Sequence, residues 1–330
     1  MQQPIIIEVT RGDYLESRHQ VIAIVTDSQG KRVHEWGNAE QLVFPRSTAK
    51  PLQAMPLVLS GAADALQLNN KQLAMACSSH NGEEQHAQVV NAWLKQLNMD
   101  DQALECGSHW PMHEPATLAL AKSGSGIQAC PVHNNCSGKH CGFLSLAYHR
   151  GIEHQGYIKA EHAIQQEVNS TMGEIMGVNV FDHPMGIDGC SIPTYALPLP
   201  ALAMGFARFG SGQQLPEGWA AAAKTLYDAM VAEPFYVAGS QRHCTHVMQA
   251  FGDQVACKTG AEGVFGAAIP SLGLGVAIKA IDGNSRAAEV ALNYVLDTLG
   301  LQAKDPSFTQ HIDLYNRNQM QVGQVRLAKP

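Results

Sequence analysis

The sequence predicts an α/β chain of the α+β kind: one mostly antiparallel sheet built from strands at both ends, flanked by helices, plus a helical lobe from the middle. Three observations predict it. Strand-like runs with turn punctuation fill the first 45 residues, helical periodicity runs from about Arg46 to Phe251, and strand character returns from Gln254. The domain reading is a single domain over 1–330 with a sheet lobe from 1–45 plus 253–330 and a mainly helical lobe from 46–252. A small-molecule pocket is expected in the cleft between the lobes.

Taken in order, Pro4–Val9 and Gln20–Thr26 read as strands, and Asp27-Ser28-Gln29-Gly30 turns the chain into a return strand through Lys31–Trp36. Helices follow near Leu52–Leu59, Glu83–Leu97, Ala116–Lys122, Phe143–His149, Ala160–Met176, Ala196–Phe209, Gly218–Val231 and Ser240–Phe251. Pro51 and Pro56 predict that the first of these is short or kinked, because each removes a backbone donor. Strands return at Gln254–Lys258, Gly263–Ile269 and Gly273–Ile281. A helix at Arg286–Leu299 begins after an N-cap at Asn284 or Ser285, and a last strand spans Gln321–Leu327.

A net charge of −7, with no basic patch interleaved with aromatics, argues against nucleic acid as a partner. No apolar run approaches the about 18 residues of a membrane span. Met1-Gln2-Gln3-Pro4 runs directly into Ile5-Ile6-Ile7-Glu8-Val9 with no basic leader, so a cytoplasmic location is expected. The eight cysteines, at positions 77, 106, 130, 136, 141, 190, 244 and 257, then read as reduced thiols, most of them core residues.

Chemistry enters at Ser47-Thr48-Ala49-Lys50. A serine hydroxyl must lose its proton to a positioned base before it can attack, and on a helix positions i and i+3 share a face. Lysine serves as that base only if burial or a nearby cation, here Arg46, lowers its pKa. Alone the tetrapeptide is weak, since serines near helix starts are often caps. Lys258-Thr259-Gly260 on a late strand strengthens it, because Ser-x-x-Lys followed by Lys-Thr-Gly is the pair of motifs found in serine β-lactamases and penicillin-binding proteins. No Ser-Asp-Asn triplet lies between the two, and no deacylating glutamate is assignable.

Three further clusters stand out. Cys77-Ser78-Ser79-His80-Asn81-Gly82-Glu83 feeds a helix N-terminus, where it acts either as a plain cap or as a donor to an anion. Asn134-Asn135-Cys136-Ser137-Gly138-Lys139-His140-Cys141 is dense in ligating groups. By spacing alone Cys136, His140 and Cys141 form a candidate zinc set, with reduced structural cysteines as the plainer reading. Gly186-Ile187-Asp188-Gly189-Cys190-Ser191 supplies another thiol in a glycine-flanked turn. Ser137-Gly138-Lys139 lacks the glycine spacing of a phosphate loop, and no organic cofactor is expected.

Taken together, Phe44–Gln53, Ser78–Glu83, Asn135–His140 and Gly186–Cys190 resemble the Rhizobium-type (class 3) L-asparaginases, asparaginase II, in order from about Thr10 to Asp282. The resemblance implies a fold like that of serine β-lactamases and glutaminases, a homodimer, and hydrolysis of L-asparagine to L-aspartate and ammonia. It pairs Ser47 with Lys50 and Ser79 with Lys258, and sets Arg46, His80, Asp188 and His140 near the substrate. It also makes Cys136, Lys139 and Cys190 the ligands of a zinc ion, which moves the metal set away from His140 and Cys141. Glutaminase or penicillin-recognising hydrolase activity is the alternative, and a non-enzymatic zinc-containing binding protein is a second one.

Overall fold

The computed structural model describes residues 2–122 and 128–329. Its strands are β1 (Ile5–Arg11), β2 (Tyr14–Asp27), β3 (Arg32–Trp36), β4 (Leu42–Val43), β5 (Met185–Ile187), β6 (Pro193–Tyr195), β7 (Leu197–Pro198), β8 (Ala256–Thr259), β9 (Val264–Ile269), β10 (Leu274–Ala280), β11 (Ile312–Tyr315) and β12 (Gln321–Leu327). The main sheet runs β11-β12-β1-β2-β10-β9-β8, with β3 also paired to β2, and every ladder in it is antiparallel. All of its strands come from residues 5–36 and 256–327, as the two-ended sheet predicted. Two small ladders, β4 with β7 and β5 with β6, lie within the otherwise helical stretch.

The helices are α1 (Lys50–Gln53), α2 (Met55–Leu59), α3 (Ala62–Ala65), α4 (Asn70–Ala76), α5 (Glu84–Gln96), α6 (Glu114–Lys122), α7 (Ser137–Arg150), α8 (Ala163–Met176), α9 (Leu199–Ser211), α10 (Trp219–Ala232), α11 (Pro234–Val237), α12 (His243–Phe251) and α13 (Ser285–Thr298). The sheet is covered by α9, which packs on β2, β9 and β10, and by α13, which packs on β1, β2, β9, β10 and β12. Val21-Ile22-Ala23-Ile24-Val25 in the centre of β2 is therefore buried at every position and does not alternate. The approach of α9 is set by glycines. A Cβ on Gly275 would lie 2.0 Å from Ala203 O, and one on Gly266 2.2 Å from the Phe206 ring, so larger residues there would push the helix off the sheet.

Several boundaries differ from the sequence reading for identifiable reasons. The helix expected at Leu52–Leu59 is two short helices, α1 and α2, each with a proline in its first turn and joined at Ala54. The helix expected from Phe143 begins six residues earlier, at Ser137, because its first turns bury polar and small residues that carry no apolar period. Unanticipated elements are β11, α11, the β5–β6 hairpin, and α4 with its Asn69–Gln72 capping box. Asn284 is the cap of α13, accepting from Ala287 N. Among the described residues, no helix is long and apolar enough to cross a membrane.

Candidate active site

Two lysines from opposite ends of the chain converge on one serine. Lys50 opens α1, Lys258 lies on edge strand β8, and Ser79 sits in the loop after α4. Lys50 Nζ and Lys258 Nζ each donate to Ser79 Oγ at 2.9 Å. Lys50 also donates to Ser78 O and, at 3.4 Å, to Asn135 O, and Lys258 donates to Thr259 O at 2.7 Å. All three side chains are sequestered: Lys50 and Lys258 are 1% exposed and Ser79 is 4%. Burial, followed by the charge of Lys50, pushes the Lys258 amine down to about 7. A neutral amine is thus available at physiological pH beside a hydroxyl.

Ser47 is placed differently from expectation. It lies half-buried on the 3-10 turn Arg46–Ala49, and its carbonyl accepts from Lys50 N, but Lys50 Nζ donates to Ser79, and among the described residues Ser47 Oγ has no hydrogen-bond partner. The turn is held from the far side by Gly260. A Cβ there would lie 2.5 Å from Thr48 Oγ1 and 2.8 Å from Pro45 O, so the glycine ending Lys258-Thr259-Gly260 lets β8 touch the Ser47 turn.

Arg46 adopts φ +51°, a left-handed conformation costly for a residue with a Cβ. It aims its guanidinium at Asp188, with Nε at 2.8 Å and Nη2 at 2.7 Å from Oδ1. Burial acts to raise the pKa of Asp188, but the charges of Lys139 and Arg46, together with the Arg46 and Gly189 hydrogen bonds, outweigh it and hold the carboxyl below its usual range. Asp188 follows β5 in the hairpin turn, where Ser191 N donates to Asp188 O.

The two histidines expected beside the substrate are both fully buried. Gly82 N donates to His80 Nδ1 at 3.0 Å, so Nε2 carries the proton and donates to Ser137 Oγ at 2.9 Å, and that hydroxyl donates to Val132 O. Burial, with nearby cations, keeps His80 well below its ordinary pKa and neutral. His140 Nδ1 lies 2.6 Å from Tyr157 Oη, and its Nε2 has no partner.

Of the residues considered for a metal, Cys136, Lys139 and Cys190 come together and Cys141 does not. Lys139 Nζ donates to Cys190 Sγ at 3.0 Å, and the Cys190 and Cys136 thiols hydrogen-bond, which with the Lys50 and Lys139 charges holds Cys136 well below its ordinary pKa despite burial. Lys50 also touches Cys136, so this cluster adjoins the lysine–serine centre. Cys141 is five positions along from Cys136 and faces Cys106 and Tyr157, where burial pushes its thiol up. Among the described residues no three of His, Cys, Asp or Glu are arranged to hold a metal, so any metal there must use the Lys139 amine. A surface hollow of about 390 Å³ lined by His243, His246, Asn293, His311 and Asp313 includes none of these groups.

Three contributors escaped the sequence reading: Asn81, Asn135 and Arg242. Asn81 had a visible signal, since Ser79-His80-Asn81 keeps the first and third residues of a Ser-Asp-Asn triplet.

A family model described as L-asparaginase II matches residues 7–327, nearly the whole chain. The chain belongs to the L-asparaginase II family. Among solved structures this family member is similar to Mglu in its native form, at 12% identity and TM-score 0.40 over 87% of this chain and 66% of that one. It thus spans just under two thirds of Mglu. It is also similar to a β-lactamase from Mycobacterium bovis (14% identity, TM-score 0.40, 84% of this chain and 93% of that one). A third is an octameric penicillin-binding protein homologue from Pyrococcus abyssi (11% identity, TM-score 0.34, 86% and 74%). No match is found among curated proteins.

Proposed function

We propose that this family member is an L-asparaginase that hydrolyses L-asparagine to L-aspartate and ammonia through a serine made nucleophilic by lysine. One observation carries the reading: two buried lysine Nζ atoms, one of them with its pKa near 7, both lie 2.9 Å from Ser79 Oγ. A serine needs a neutral base within hydrogen-bond reach, and such an arrangement supplies a base and a path for its proton. Ser47 is the more open of the two hydroxyls and attacks the side-chain amide carbon. Lys50 takes the Ser47 proton as it passes its own through the Ser79 hydroxyl to Lys258, the amine that is neutral near pH 7. The lysine pair returns the proton to the leaving ammonia, and water then hydrolyses the acyl-serine to aspartate and free enzyme. Arg46 takes the substrate α-carboxylate, and Asp188 its α-ammonium group.

Cys136, Lys139 and Cys190 fit a zinc ion, because two sulfurs and a nitrogen, the soft donors zinc takes, already form one buried contact set. Lys139 would ligate as the neutral amine. When bound, the ion supplies a fixed positive charge that acts as a template for the polar end of asparagine. The same reading makes the chain a cytoplasmic homodimer, with the site between the sheet lobe (1–45 plus 253–330) and the helical lobe (46–252).

Ammonia release measured across asparagine, glutamine and simple β-amides, with and without chelator, tests this. Asparagine should be fastest, Ser47→Ala should abolish release while the protein stays folded, and chelation should raise KM more than it lowers kcat. Full ammonia release by folded Ser47→Ala would remove Ser47 as nucleophile.

A further inference from the structure

Behind Ser79 lies a polar network that the proposed reaction does not use. The segment from Val237 to Arg242 grips both peptide groups of Ser79: Ser79 N donates to Val237 O at 3.0 Å, and Arg242 Nη1 donates to Ser79 O at 3.5 Å. The same Nη1 donates to Asn81 Oδ1 at 3.0 Å, between residues 161 apart in sequence. Asn81 Nδ2 donates to Ser240 O at 2.9 Å and to Glu83 Oε1 at 3.2 Å. Ser240 closes the ring, with N to Glu83 Oε1 at 2.7 Å and Oγ to Glu83 Oε2 at 2.8 Å. Gly239, at φ +111°, permits the contact, since a Cβ there would lie 2.6 Å from Asn81 Nδ2 and 2.7 Å from Glu83 Oε1. The 79–83 turn and the 237–242 segment are therefore one packed unit, and Arg242 joins them at the serine.

Arg242 is also a permanent charge. Lys258 is faced by Lys50 from α1, Cys77 at the end of α4, Cys136 before α7, Cys244 on α12, and Arg242 at the N-cap of α12. Of these, only Lys50 and Arg242 are cations. Three acidic groups lie around Arg242: Glu83, one amide away through Asn81; Cys244 on α12, whose thiol is held down to about 6 against burial by the Cys257 hydrogen bond and the Lys258 and Arg242 charges and so opposes Arg242 at Lys258; and Glu289 on α13, whose carboxyl burial pushes up to about 7.

We propose that Arg242 is a positioning residue for the Ser79 centre: it locks the Ser79 peptide through its carbonyl and supplies the fixed positive charge on the Lys258 side of the site. The inference rests on the serine–lysine reading above. Its consequence has a definite sign. Lys258 acts as a base only when neutral, and a nearby cation disfavours its protonated form. Removing the Arg242 charge therefore lets Lys258 keep its proton to higher pH, and the acid limb of the rate profile moves up.

The test is the pH profile of kcat/KM for ammonia release from the amide turned over fastest, for wild type, R242Q, R242M, R242K and S79A, each checked by a melting curve. The acid limb should rise by about half to one pH unit in R242Q, which at pH 7 lowers kcat/KM by about two- to five-fold. R242M is the second uncharged variant should R242Q fail to fold. R242K should keep its limb within about 0.2 unit of wild type while losing part of kcat, because an ammonium keeps the charge and loses the planar fork. Acid limbs of folded R242Q and R242M that coincide with wild type overturn the inference. The two readings separate at S79A: an active S79A defeats the proton relay through Ser79 on which the reading above depends, whereas an inactive S79A with an unmoved R242Q limb defeats only the role of Arg242.

Discussion

Replacing Gly260 by alanine probes the contact that joins the late lysine strand to the early serine turn. The new methyl would sit 2.5 Å from Thr48 Oγ1, 2.8 Å from Pro45 O and 3.1 Å from Thr48 N. Two of the three atoms are backbone, so rotating a side chain cannot relieve the clash. Restoring van der Waals contact requires the Ser47 turn and β8 to separate by roughly 1 Å. A shift of about that size at a reacting group costs on the order of 100-fold in rate. Overpacking costs about 1–3 kcal/mol, which lowers Tm by a few degrees in a chain of this size. The assay is ammonia release alongside a thermal melt. If Gly260→Ala kept kcat within two-fold of wild type with an unchanged Tm, the Lys-Thr-Gly segment would be an ordinary strand end and the coupling of β8 to Ser47 would be wrong.

Two further outcomes follow from the geometry. Lys258 has a folded pKa of about 7, below its unfolded value of 10.5, so between those limits the unfolded chain binds more protons and stability rises with pH. Lys258→Met should therefore be inactive yet gain up to a few kcal/mol at pH 7, and urea titrations at pH 7 and 9 should show a flatter pH dependence than wild type; an identical dependence would refute the depressed amine. At Gly138 a Cβ would lie 2.4 Å from Met75 O and 2.8 Å from Met75 C, so Gly138→Ala must lever α7 away from the end of α4. A loss of about 2–3 kcal/mol in urea unfolding is expected, and an unaltered midpoint would contradict the packing.

The sheet was legible because its strands are nearly continuous in type: apart from Phe265, Leu274 and Lys279, the residues of Val21–Val25, Val264–Ile269 and Leu274–Ala280 are β-branched or small. The kink between α1 and α2 was written in Pro51 and Pro56. What escaped was structure built from residues without apolar rhythm. The outer half of β2, Tyr14–Gln20, is mostly exposed and polar, and the first turns of α7 bury Ser137, Lys139 and His140, which patterning assigns to a surface. The site was legible in its residue types and less so in its pairings. Spacing points to neighbours along one helix and so joined Lys50 to Ser47, whereas the fold spends the ammonium on Ser79, 29 residues away. Arg242 carried no sequence signal, because its role depends on contacts 161 and 163 residues distant.

The strand order imposes a schedule on the assembly of the site. β2 pairs with β10 and β1 with β12, and Ala328 N closes on Ile6 O at 2.8 Å, so the first strands made have no partner on one side until the last ones arrive. A ribosome releases the chain from its N-terminus. For most of synthesis, Lys50 and Ser79 are present while Lys258 has yet to be added, and β1–β2 is an open edge of the kind that invites pairing with other chains. Chains that end before β8 therefore hold Ser79 with Lys50 alone and keep the β1–β2 edge open, and the two-lysine centre is complete only once residues 256–259 are in place.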